Sequence, residues 1–113
     1  TNIAEAAGAT ADVVIDQGYG VTRNDPELLR QMSPTLEKVA GDRFREAPQT
    51  ATAEDFSYFA KEVPGLFLFL GVASDDPTLV HPNHSPRFYA DERALPVGVK
   101  ALTSLTLDYM LAK

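Results

Sequence analysis

A chain of 113 residues with 44% hydrophobic and 23% charged residues is large enough for one domain with a core, which excludes a largely disordered protein and leaves no room for a second full domain. Sixteen acidic against ten basic residues give a formal charge of −6, and the Lys and Arg are scattered singly, so no nucleic acid and no membrane surface is an expected partner. Cysteine is absent, which excludes disulfides, zinc-thiolate sites and a cysteine nucleophile within the chain and fits a reducing, cytoplasmic location.

No apolar run approaches the roughly 18 residues of a membrane span, and no signal peptide is expected. The chain opens on Thr1 inside what reads as a helix, so a processed chain or a piece of a longer protein is expected. Asn2 to Ala7 followed by Gly8 reads as the last turns of that helix, with the glycine just past its end. Ala11, Val13 and Ile15 then alternate with Asp12, Val14 and Asp16, the period of a half-buried strand. Gly18 and Gly20 around Tyr19 mark a hinge or domain crossing.

Asp25 is placed to cap a helix that begins at Pro26 and carries Leu28, Leu29, Met32, Leu36, Val39 and Ala40 at helical spacing to Gly41. Pro34 is a point where this helix kinks or restarts. Residues 43 to 47 carry a weak strand signal. Thr52 opens the string TAED, a capping-box pattern in which Thr52 caps and Asp55 reaches back, and Phe56, Phe59, Ala60 and Val63 follow on one helical face. Pro64 and Gly65 end that helix. LFLFLGV, residues 66 to 72, is apolar on both alternating faces, as a strand covered on both sides would be. A long loop follows, and from Asp91 as a cap a final helix over about 92 to 112 carries Leu95, Val99, Leu102, Leu105, Leu107, Tyr109 and Met110, with Pro96 in its first turn.

Chemistry concentrates in two places. In VHPNHSPRF, His81 and His84 stand three apart, and Pro82 and Pro86 restrict the backbone around His84, which pre-positions a ligand or base. On local evidence a surface or capping role is favoured for both histidines, since His-x-x-His across a proline is not helical metal spacing. Glu54 and Asp55 suit a metal site or acid–base work, but they equally complement a helix start, a reading that covers Asp55 more fully than Glu54. Ser57 and Ser85 lie outside any Gly-x-Ser-x-Gly string, and the phenylalanines at 56, 59, 67 and 69 read as core. The glycines lack phosphate-binding spacing.

Taken in order, GYGVTRNDPEL, ATAEDFSYFAKEVPGLFLFLG and NHSPRFYADERALPVGVKAL resemble the C-terminal portion of the zinc-type amidohydrolase and aminoacylase family of metallopeptidases, which includes hippurate hydrolases, N-acyl-amino-acid hydrolases and auxin-conjugate hydrolases. The resemblance covers nearly the whole chain. It implies an α/β fold: residues 1–18 as the last helix and strand of an α+β lid or dimerisation domain, and residues 19–113 as the C-terminal part of a three-layer catalytic domain. It implies two divalent metal ions, zinc or manganese, in the full-length parent, with His84 as the last metal ligand in the chain and His81 a bystander. Asp91 would orient the His84 ring, and Asn24, Glu54 and Asp55 would line or support the cleft for a small N-acyl amino acid or peptide substrate.

The family's Cys-Gly-x-His motif, its Glu-Glu pair with the general base and its further ligand histidine do not occur in this chain. One histidine cannot hold a catalytic zinc, which needs about three protein ligands and an open position. The expectation is therefore a fragment of a metal-dependent amidohydrolase, inactive and without tightly bound metal in isolation, with no catalytic residue of its own. A non-catalytic association domain that keeps the scaffold is the alternative. In either case the edges of Leu66 to Val72 favour pairing with another chain, and a homo-oligomer is expected.

Overall fold

The computed structural model describes residues 2–112. Helix α1, Asn2–Ala6, stops where the sequence places its glycine. Gly8 sits at φ 70°, its N–H donates to the Glu5 carbonyl at 2.9 Å, and the Ala9 N–H donates to the Ala4 carbonyl at 2.9 Å. This pair of reversed bonds satisfies carbonyls that a helix end otherwise leaves bare, and it requires the left-handed residue that glycine supplies.

Beyond it the first expectation fails. Residues 11 to 15 form no ladder, and Val13, Val14 and Ile15 are 64%, 86% and 80% exposed. Alternation creates a half-buried strand only when a neighbouring strand takes its N–H and C=O groups and a layer covers one face. The described residues bring neither to this stretch.

Helix α2, Pro26–Ala40, forms as its signals dictate. Asp25 is extended (φ −64°, ψ 124°), and its Oδ1 accepts from the Leu28 N–H at 2.8 Å, so one of the free N–H groups of the first turn is satisfied. The helix runs through Pro34 without a break and ends at Gly41, at φ 55°. A 3-10 turn, Gly41–Arg43, follows, and the short strand expected at 43–47 does not form.

Helix α3, Phe56–Glu62, starts later than the capping box requires. Asp55 holds the cap position with helical backbone angles and makes no side-chain bond, and Thr52 shares a hydrogen bond with the Thr50 hydroxyl at 3.3 Å instead. The box is not made, because the Thr52 hydroxyl is paired with Thr50 and the helix begins only at Phe56, so Thr52 and Asp55 do not hold the cap and third helical positions the box needs. The first turn is closed by backbone alone, from the Ser57 N–H to the Glu54 carbonyl and from the Tyr58 N–H to the Asp55 carbonyl.

Leu66 to Val72 is extended and tied down, yet it too forms no strand. Its bonds come from single points. The Asp25 N–H donates to Gly65 just before it, Asn24 holds Phe67 through its side chain, and the Asp91 N–H donates to the Val72 carbonyl at 2.9 Å. Among the described residues the elements are helices and 3-10 turns with no strand, so the strands expected of an α/β fold are not formed within this stretch.

Helix α4, Leu95–Leu111, follows a 3-10 turn at Glu92–Ala94 and packs against α2. The Thr35 hydroxyl donates to Asp108 Oδ2 at 2.6 Å across this contact, and Met32 and Leu36 of α2 are the buried apolar residues beneath it. Gly98 admits α4 to the apolar segment, since a Cβ there would meet Leu70 Cδ2 at 2.9 Å. The outer stripe of α4 stays exposed, with Val99, Leu102 and Met110 each at 66%. Of the phenylalanines read as core, Phe56 and Phe67 are half-buried while Phe59 and Phe69 are exposed. The molecule measures 64 × 43 × 18 Å with a radius of gyration of 20.2 Å, against about 13 Å for a compact domain near this size. It is a plate 18 Å thick, and so thin a body covers few of its side chains on every side.

Candidate functional site

His84 lies in a loop, residues 73 to 90, that is built turn upon turn. Asp76 accepts at Oδ1 from the Thr78 N–H at 2.9 Å and from the Thr78 hydroxyl at 2.7 Å, and these two bonds, the hydroxyl first, hold its carboxyl below the usual carboxylate range. The chain then reverses twice. The Ser85 N–H donates to the Pro82 carbonyl at 3.1 Å, and the Phe88 N–H donates to the Ser85 carbonyl at 2.9 Å. In the first reversal His84 occupies the third position at φ 67°, the one non-glycine residue with positive φ among those described. Turns of this kind normally place glycine there, because a Cβ is crowded in that conformation. A histidine held there is a strained residue in an exposed turn, and such strain gathers at functional sites.

The local sequence explains how the conformation is kept. Asn83 Oδ1 accepts from the His84 N–H at 3.1 Å, and the Ser85 hydroxyl accepts from the Arg87 N–H at 3.2 Å. Pro86 sits at the second position of the following reversal, where its fixed φ is already correct. The His84 ring is exposed and enters no hydrogen bond among the described residues, whereas His81, expected at the surface, is half-buried.

Asp91 closes the base of this loop and is buried, with only 9% of its surface exposed. Its carboxylate is occupied by Arg93: Oδ1 accepts from the Arg93 N–H at 3.0 Å and from Nε at 2.9 Å, and Oδ2 accepts from an outer guanidinium nitrogen at 2.6 Å. These bonds, the side-chain ones foremost, hold its carboxyl down to about 2. Arg93 turns its other arm to Asp75 at 2.8 Å, and the two carboxylates raise the guanidinium's affinity for its proton. No hydrogen bond joins Asp91 to His84 among the described residues.

Asn24 is committed to the backbone. Its Nδ2 donates to the Phe67 carbonyl at 3.0 Å and its Oδ1 accepts from the Phe67 N–H at 2.6 Å, so the carboxamide stands in for the peptide group of a neighbouring strand. Glu54, half-buried, and Asp55, exposed, keep carboxylates that make no hydrogen bond or ion pair among the described residues. Their backbone carbonyls start α3 while their side chains remain available.

Sequence reasoning missed Arg93, whose only signal was its place two residues after a capping aspartate. It also passed over the role of Ser57, the one fully buried side chain described, whose hydroxyl has no partner. Ser57 faces Gly20, where a Cβ would lie 4.0 Å from the hydroxyl and 2.8 Å from Lys61 Nζ. Glycine at 20 lets the entering chain cross α3 closely. Tyr19 then meets Tyr58 edge-on at 5.7 Å.

Among the described residues, no group of three or more His, Asp or Glu side chains is arranged to hold a metal ion. One donor does not make a centre, and any metal at His84 needs donors from outside these residues. No described helix is long and apolar enough to cross a membrane.

The model of peptidase family M20/M25/M40 matches residues 5–108. Thermostable carboxypeptidase 2 of Saccharolobus solfataricus is 32% identical over 103 residues, covering 90% of this chain and 26% of its own length. IAA-amino acid hydrolase ILR1-like 6 of Arabidopsis thaliana is 33% identical over 89 residues, 79% of this chain and 19% of its own. N-acetyldiaminopimelate deacetylase of Leuconostoc citreum is 35% identical over 106 residues, 93% of this chain and 26% of its own. The chain therefore spans about a quarter or less of the length of these relatives. No solved structure matches it. With turns, caps and histidine loop all inside the matched region, the chain belongs to peptidase family M20/M25/M40.

Proposed function

We propose that this chain is the C-terminal segment of a metal-dependent amidohydrolase that cleaves the amide bond of an N-acyl amino acid or short peptide. The observation that carries the reading is the family match over residues 5–108, together with relatives named as a carboxypeptidase, an amino acid conjugate hydrolase and a deacetylase. All three names describe hydrolysis of a bond to an amino acid's nitrogen or carbonyl carbon.

In this reading His84 gives one ligand to a centre of two divalent ions, zinc or manganese, whose other donors come from the rest of the protein. Its exposed ring, free of hydrogen bonds and held in a strained turn, supports that role. Asn24 supports the cleft wall through Phe67, and Glu54 and Asp55 face the cleft from the start of α3. Residues 1–18 belong to a lid or dimerisation domain and 19–113 to the hydrolase domain. The change of surroundings at Gly20, from exposed chain to contact with α3, supports that boundary. The full protein acts in the cytoplasm as a homo-oligomer. No step of the reaction is assigned to this chain alone.

The test is His84→Ala in a longer protein that carries this chain. Metal content is expected to fall, and kcat/KM to drop by more than ~100-fold, beyond what loss of an outer partner of a ligand removes. Full activity with unchanged metal content would overturn the ligand role.

A further inference from the structure

We propose that Arg93, acting through Asp91 and Asp75, is a positioning residue that holds the His84 loop in its ligand-presenting form. The proposal rests on the reading of His84 as a ligand and assigns it a support that differs from a direct Asp91–imidazole bond.

Three observations carry it. First, both ends of the loop are held at one place. The Asp91 N–H donates to the Val72 carbonyl at 2.9 Å, while Arg93 bridges Asp91 at 2.6 Å and Asp75 at 2.8 Å, so a residue in the first turn of the loop and the residue just after its end meet at one guanidinium. Second, the bridge has the geometry that fixes direction. Asp91 takes two Arg93 nitrogens on its two oxygens, a fork that a flexible ammonium does not reproduce. Third, the joint is unequal. The Asp91 side chain is 13% exposed and the Asp75 side chain 87%, so Asp91 anchors the guanidinium and Asp75 is the outer, solvent-screened arm.

The loop needs such a closure. His84 is strained at φ 67°, and the bonds within residues 73 to 90 run only between residues close in sequence. Local turns give the loop its shape but do not fix it to the rest of the molecule. A loop of this length with a free base samples many arrangements, and each would carry the His84 ring to a different place. The Asp91 carboxylate therefore does more for His84 by fixing the loop's base than by touching its ring. Asp91 also caps the 3-10 turn that leads into α4, which couples the loop base to the α2–α4 pair.

The test is NMR relaxation and amide exchange on the 113-residue chain, with Arg93→Ala, Arg93→Lys and Asp75→Asn. In Arg93→Ala the His84 amide order parameter is expected to fall from about 0.85 to below 0.6, with amides of residues 73–90 exchanging about tenfold faster and those of α2 and α4 unchanged. Arg93→Lys keeps the charge without the fork and is expected to restore only part of the order. Asp75→Asn removes the Arg93 contact that reaches across the loop and is expected to loosen residues 73–90 in the same direction as Arg93→Ala but by less, and an unchanged loop there overturns the bridge. An ordered His84 in Arg93→Ala overturns the proposal, and so does an equal loss in α2 and α4, which marks general destabilisation. No metal enters this measurement, so its failure leaves the ligand role of His84 standing, and failure of the metal-content test leaves the loop result standing.

Discussion

Residues 11–15 and residues 66–72 both carry the pattern of strands, and the structure treats them differently. The first lies with every residue exposed and without a hydrogen bond among the described residues. The second is equally without a ladder, yet it is pinned by Asn24 at Phe67 and by Asp91 at Val72, and Gly65 just before it receives the Asp25 N–H. Its aromatic side chains also find partners, with Phe56 to Phe67 and Phe67 to Phe69 both at 5.4 Å between ring centroids. A strand pattern thus records a capacity for burial. A few point contacts at long sequence separation are enough to fix a segment in place without making it a strand.

The sharpest way to break the contrast is to remove what the pinned region leans on. Leu36→Ala, at the buried contact of α2 with α4, is expected to lower stability by about 2–5 kcal/mol in chemical denaturation, while amide exchange at residues 11–15 is already fast and does not change. Next comes Asn24→Ala, which leaves the Phe67 N–H and C=O unpaired. We expect a loss of about 1–3 kcal/mol and exchange at Phe67 approaching that of residues 11–15. Asn24→Asp serves as the finer control, because it keeps the acceptor and loses the donor. Smallest of all is Val14→Ala, expected within about ±0.5 kcal/mol since the side chain is 86% exposed. A large effect there would mean that residues 11–15 have a covering partner in solution, and it would erase the distinction.

Legibility followed the range of the interaction. The Gly8 helix end, the Asp25 cap with Pro26, the Gly41 stop and the Asp91 cap each depend on residues within a few positions, and each stands where the sequence predicts it. TAED failed although it is also local, because the helix starts only at Phe56 and the Thr52 hydroxyl pairs with Thr50 instead of a helix N–H. The site divides the same way. The turn around His84 is prefigured by Pro82, Asn83 and Pro86, whereas the joining of Asp75, Asp91 and Arg93 depends on how a long loop closes. Ser57 carried no local signal, since its burial comes from the chain crossing at Gly20.

By itself the sequence determined the helices, their stops, the proline-flanked stretch that carries His84 and the family to which the chain belongs, because caps, turn residues and ordered motifs act over short distances. Only the tertiary structure decided which apolar segments are covered, that the Asn24 carboxamide takes the place of a strand neighbour, and that Arg93 holds the loop base. Burial and long-range pairing need partners that are distant along the chain. In a plate 18 Å thick there are too few of them to satisfy every pattern the sequence contains.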